Sequence, residues 1–268
     1  MQLPLEAGGL SGAACYLTTN GVLQTSRLAE LAKKHPRMTP EICRLDSIHT
    51  RATPSVPELI RTLSQGLPDF AQQLSENSSA KPLRLLVLDS MGTLFRSDTQ
   101  TSSKTLFERS RELIEISSML HHLASAWHLA VLVINDVNST FDRSALLKDV
   151  ELDQLRYSEQ ARWFSRGDSI SGEGFREASL GLVWANQVGL RIMMTRTGRR
   201  RYLDLSRDGD VKRRNRETEV RDQDRQQLSD RSEAILIRRL SVIFSSFSPP
   251  CSTDFVISCS GIISLGDL

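Results

Sequence analysis

Nowhere in this chain do eighteen apolar residues run together, and residues 1–14 lack the basic flank and apolar stretch of a secretory leader, so neither a membrane span nor a signal peptide is expected. Cysteine is sparse and unpaired in pattern. Cys15, Cys43, Cys251 and Cys259 form no CxxC and have no histidine at metal-ligand spacing, which argues against structural zinc and for thiols in a reducing compartment. The five histidines, His35, His49, His121, His122 and His128, complete no Ser-His-Asp, Cys-His or metal-ligand set; His121 and His122, adjacent on a helix, cannot face one ligand together. Aromatic residues make up only 6% of the chain. Charge bias is missing too: 34 Lys and Arg against 32 Asp and Glu leave a net charge of +2, so only local clustering could point to a nucleic-acid partner.

What is present is a repeated alternation of apolar runs and amphipathic segments. The centre of it is LRLLVLDSMGTLFR at residues 83–96, where Leu85, Leu86, Val87 and Leu88 run without polar alternation into Asp89 and Ser90. Such a run reads as a strand buried on both faces of a parallel sheet. Asp89 then sits at the carboxyl end of a central strand, where open α/β sheets bind ligands, or else it only ends the strand as a turn or cap residue. Before it, AACYLT at residues 13–18 predicts a strand, a helix follows from Thr25 or Ser26 to the His35-Pro36 stop, residues 42–50 predict a second strand, and residues 56–74 a helix with Leu59, Leu63, Leu67 and Phe70 on one side. After it come a helix over residues 102–127, with Leu106, Leu113, Ile114, Ile116, Leu120 and Leu123 as its apolar stripe, and a strand over residues 129–136. Alternation of this kind predicts an α/β fold with a mainly parallel, doubly wound sheet.

The second half is different. Residues 138–176 are polar and read as a long loop that orders only on binding or not at all. A short helix over 180–188 breaks at Gly189 into a strand over 190–195, and residues 199–233 mix charges of both signs with almost no apolar residues, the composition of a segment unable to bury enough surface to fold. RRLSVIFSSFSPP and DFVISCSGI predict an antiparallel pair at one sheet edge. Residues 1–198 are thus expected to form a core carrying the loop 138–176, with 199–233 as an insertion and 234–268 as terminal strands of the same core.

In their order along the chain, GGLSGAACYLTTNGVLQTSRL, LRLLVLDSMGTLFR, LAVLVINDV, and GLVWANQVGLRIMMTRT with DFVISCSGI resemble the ATPase core of the RecA-type recombinases, specifically the eukaryotic and archaeal strand-exchange group with its paralogues. Closer still, the chain looks like a fungal recombinase paralogue, a mediator of homologous recombination. The resemblance implies a RecA-like fold, ATP with Mg²⁺ as cofactors, other recombinase-family subunits as hetero-oligomeric partners, single-stranded DNA as ligand, and a nuclear location. It also implies a Gly-rich phosphate loop, GxxxxGK[ST], ahead of the GGL segment; these 268 residues contain none, so either a longer product carries the loop before Met1, which is the favoured expectation, or the protein has lost it.

Family roles transfer onto four positions. Asp89, with Ser90 beside it, matches the Mg²⁺-side carboxylate. Asn20 stands where the family has its water-activating Glu, and an amide cannot take a proton at neutral pH. Asp136 stands where the family has its nucleotide-sensing Gln. Impaired hydrolysis follows as the expectation. For DNA, Arg143, Arg162 and Arg166 in the long loop and Arg199, Arg200 and Arg201 beyond it are the candidate phosphate contacts, and Tyr157, Trp163 and Phe164 either stack on bases or pack the loop against the core. GRRR at 198–201 and KRRNR at 212–216 could also serve nuclear import. A non-catalytic subunit that bridges or caps related recombinase subunits is the alternative function.

Overall fold

The computed structural model describes residues 2–35, 42–96, 103–139, 176–178, 180–204 and 232–266. They fall into two compact units, Met1–Val188 and Gly189–Leu268. In the first, strands β1 (Ala13–Thr18), β2 (Ile48–Ala52), β3 (Leu83–Asp89) and β4 (Ala130–Ile134) form one parallel sheet in the order β2-β1-β3-β4. The connections are helical: α1 (Thr25–Lys34) joins β1 to β2, and α2 (Val56–Arg61), a π-helical turn (Thr62–Gly66) and α3 (Leu67–Glu76) join β2 to β3. A short α4 (Met91–Leu94) and the long α5 (Ser103–Trp127) lie between β3 and β4. Right-handed crossovers put α1 on one face and the α2–α3 rod with α5 on the other, since β1 to β2 runs leftwards along the sheet while the other two connections run rightwards.

Burial follows this layering. Leu17 on β1 and Leu86 and Leu88 on β3 are fully buried and share a core with Leu59, Leu63, Leu67 and Ala71 of the rod and Leu113, Ile116, Leu120 and Leu123 of α5. The rod buries every fourth residue over twelve positions, a spacing that drifts by about 120° on an ideal α-helix. The wider π turn in its middle takes up part of that drift and keeps the stripe on the core. Its start is capped by Ser55, whose hydroxyl accepts from the Glu58 N–H. The end of α5 is met by Arg84, which donates to the Trp127 carbonyl at 3.1 Å. The opposite face is thinner, for α1 buries none of its residues.

Three sequence expectations shift. The second strand begins at Ile48, not residue 42, because Leu45–Ser47 form a 3₁₀ turn around Asp46 and Ser47. Ile114, expected in the α5 stripe, is half exposed, since the core face is served by positions 113, 116, 120 and 123. Phe70 is only partly buried and sets its ring edge-on to His49, with centroids 4.7 Å apart. Beyond β4, the strands β5 (Val137–Ser139) and β6 (Arg176–Ala178) pair antiparallel, so the two ends of the segment expected as a long polar loop meet in register. A short α6 (Gly181–Ala185) follows, and Leu180 and Trp184 join the core.

The second unit is an antiparallel sheet in the order β10-β9-β8-β7, built from β7 (Leu190–Asp204), β8 (Ser232–Ser245), β9 (Cys251–Ser258) and β10 (Gly261–Ser264). β7 continues to Asp204, six residues into the charged stretch expected to stay unfolded, because β8 offers it a partner along its length. The register between them shifts from Arg196 to Arg200, around Gly198 with φ 73°, a backbone conformation that suits glycine. Ile237, Phe255 and Val256 are its buried apolar side chains among the described residues.

Candidate functional site

Because the four strands of the first sheet are parallel, their carboxyl ends lie together, and the four positions singled out by the sequence fall there: Asn20 beyond β1, Asp89 and Ser90 at the end of β3, and Asp136 beyond β4. Pairing fixes what each can meet. Tyr16 of β1 stands beside Val87 of β3. Alternation then brings Tyr16 and Asp89 to the same face, opposite the buried Leu17 and Leu88. The Tyr16 hydroxyl donates to Asp89 Oδ2. Burial, followed by this hydrogen bond and the carboxylate charge, pushes the Tyr16 phenol up to about 12, so it remains a donor at neutral pH.

Around this pair the strand ends are joined by hydroxyl and backbone groups. The Thr19 N–H donates to the Asp89 carbonyl at 2.8 Å, and the Ser90 N–H donates to Thr19 Oγ1 at 3.0 Å. Thr93 Oγ1 lies 2.6 Å from Thr19 Oγ1 and 2.8 Å from Ser90 Oγ, and it donates to the Ser90 carbonyl at 2.7 Å. The Thr53 N–H donates to the Thr18 carbonyl at 2.7 Å, carrying the connection to the end of β2. Ser90 is therefore buried and engaged. Asn20 is exposed, and Asp136 accepts from Arg96 Nη2 at 3.0 Å in a largely exposed ion pair. Cys15, next to Tyr16 but facing the core, has its thiol pushed up to about 11 by burial, against the opposing charge of Arg51, and is inert at neutral pH.

The donor chemistry at this edge is thin for a metal. Asp89 and Asp136 lie at the ends of different strands, each already bonded to a protein donor, and among the described residues no group of three His, Cys, Asp or Glu side chains could hold a metal ion.

Of the expected DNA contacts, Arg143, Arg162 and Arg166 lie outside the described residues, as do Tyr157, Trp163 and Phe164. Arg199, Arg200 and Arg201 lie on β7 and do not act as one patch. Arg199 is paired with Asp254, which Arg239 also grips through Nε at 2.7 Å and Nη2 at 3.2 Å. Arg200 and Arg201, beside Leu236 and Ile235 of β8, alternate between the two faces of the sheet. Tyr16, Thr19, Thr93 and Arg96 were missed by sequence reading. Their roles depend on the β1–β3 register and on the reach from α4 to β4, which no local spacing records.

The model of the Rad51 family matches residues 1–153, more than half of the chain. A protein named DNA repair protein XRCC3 homolog from Arabidopsis thaliana is 28% identical over 267 residues, covering 97% of this chain and 78% of the plant protein. DNA repair protein rhp57 of Schizosaccharomyces pombe is 29% identical over 203 residues, covering 72% of this chain and 56% of its own length. The meiotic recombination protein DMC1 of Saccharomyces cerevisiae is 30% identical over 150 residues, covering 56% of this chain. The chain thus spans about half the length of the two yeast relatives and more of the plant one. With the family model matching residues 1–153 and the relatives named for DNA repair in agreement, the chain belongs to the Rad51 family, as one of the paralogues of the eukaryotic RecA-type recombinases.

Proposed function

We propose that this chain serves DNA repair by homologous recombination in the nucleus, helping a recombinase filament to assemble on single-stranded DNA through contacts with other recombinase-family subunits, and that it does so without turning over ATP. The observation that carries this reading is the pairing of a retained family sheet with Asn20 at the position of the water-activating carboxylate. An amide can orient a water molecule but cannot accept its proton. The family is an ATP-binding one, yet the residues described here do not fit a Mg²⁺–nucleotide site. The carboxylate that would face the metal already accepts from Tyr16.

The alternative, a non-catalytic subunit that bridges or caps related recombinase subunits, draws its support from the same hydrogen bond, which ties the strand ends with protein groups alone. Phosphate release measured with the full chain, ATP, Mg²⁺ and single-stranded DNA separates hydrolysing from non-hydrolysing readings. No release above background is expected, and saturable release with ATP affinity in the micromolar range would overturn the proposal.

A further inference from the structure

At the nucleotide-side edge of the sheet, Asp89 is surrounded by donors that the chain itself supplies. Tyr16 reaches its Oδ2 across the β1–β3 pair, and its own carbonyl takes the Thr19 N–H. Immediately behind it, Thr19, Ser90 and Thr93 satisfy one another through five hydroxyl-mediated bonds of 2.6 to 3.0 Å. Arg96, the first cationic residue after β3 in the sequence, donates to Asp136. We propose that Asp89 in this chain is a structural acceptor, the anchor of a Tyr16–Asp89 clasp that fastens β1 to β3, rather than a ligand for Mg²⁺.

The physical logic is competition for one oxygen. A divalent cation bound at Oδ2 would have to displace the phenol or share the lone pairs it uses, whereas the phenol satisfies that oxygen with a directional, charge-assisted hydrogen bond and needs no solute. In a site built for metal, second-shell donors orient the carboxylate through the oxygen that the metal does not take, and further carboxylate or water positions converge on the ion. Here the surrounding hydroxyls converge on each other and on the Ser90 backbone. The consequence is an edge whose geometry is set before any ligand arrives. The inference rests on the proposed function only in treating the chain as non-hydrolysing, and it is tested on the chain alone, without DNA or partner.

Thermal unfolding of the full chain is compared for the native sequence, Tyr16→Phe, Asp89→Asn and the double variant, each with and without excess MgCl₂. Under the clasp, each single variant lowers the midpoint by about 2–5 °C, and the double variant falls no further than the worse single one because both remove the same bond. Mg²⁺ leaves the native midpoint unmoved. Additive losses, or a Mg²⁺-dependent rise that Asp89→Asn abolishes, would overturn the clasp. Mn²⁺ binding followed by electron paramagnetic resonance supplies the second readout if Asp89→Asn does not fold. Absence of a saturable site in the native chain supports the clasp, and a saturable site in the native chain whose affinity is the same in Tyr16→Phe, so that the hydroxyl does not compete for the carboxylate, contradicts it.

Discussion

At the scale of single residues, the same carboxylate chemistry is used in two ways. Asp89 accepts from one phenol at the end of a parallel sheet, while Asp254 on β9 is held by two guanidinium groups. The hydrogen bonds from Arg239, with the bond and charge of Arg199 adding to them against a partial cost of burial, hold the Asp254 carboxyl below its ordinary value. A carboxyl lowered by folding stabilises the folded state above its ordinary value, about 3.9, and that contribution disappears as pH falls through the lowered one. Acid titration of the melting midpoint should therefore lose a component below about pH 4 that Asp254→Asn lacks. Equal acid sensitivity in the two proteins would show that the pair of arginines adds nothing. The position of Asp89 was legible in the sequence because an apolar run ends on it. The identity of its partner was not, because Tyr16 lies 73 residues away and only strand register brings them side by side.

At the scale of elements, uniform apolar runs were the readable signal. β1 and β3 are found where LRLLVLD and AACYLT place them, and α5 spans nearly the stretch its periodicity predicts, because each is long and buried against several neighbours. β2 was displaced since a five-residue edge strand with exposed polar positions carries little pattern of its own. β7 extends further than its sequence suggests for a related reason: residues 199–204 hold charge that reads as unfolded, and the strand that keeps them extended is β8, 28 to 36 residues further on. The α2–α3 rod gives a direct test of the core. Leu63 sits inside the π turn and is 1% exposed. Leu63→Ala should cost about 2–5 kcal/mol in chemical unfolding, while truncation of exposed Phe107 on α5 to Ala should stay within about 0.5 kcal/mol. A similar cost at both sites would mean that the rod is not seated on the core as described.

At the scale of the whole molecule, the family gives a sheet and the chain modifies its working edge. Asn20 beyond β1 is an exposed amide, Asp136 is a carboxylate paired with Arg96, and Asp89 is engaged by Tyr16. What remains is an α/β unit with settled strand ends and an antiparallel unit rich in arginine, properties suited to contact with other subunits and with a phosphate backbone. The arrangement of the arginines was only partly legible. A basic cluster in sequence such as Arg199, Arg200 and Arg201 separates once a strand alternates its side chains and an acid claims one of them.

The measurement closest to the central claim is the time course of recombinase filament assembly on single-stranded DNA, followed by fluorescence of labelled DNA, with the full chain added and ATP turnover by the chain alone recorded in parallel. Assembly that starts earlier in its presence, weakens steeply as salt is raised, and needs no phosphate release by the chain is the predicted result. Assembly unchanged by the chain, or accelerated only in proportion to phosphate that the chain itself releases, would contradict it.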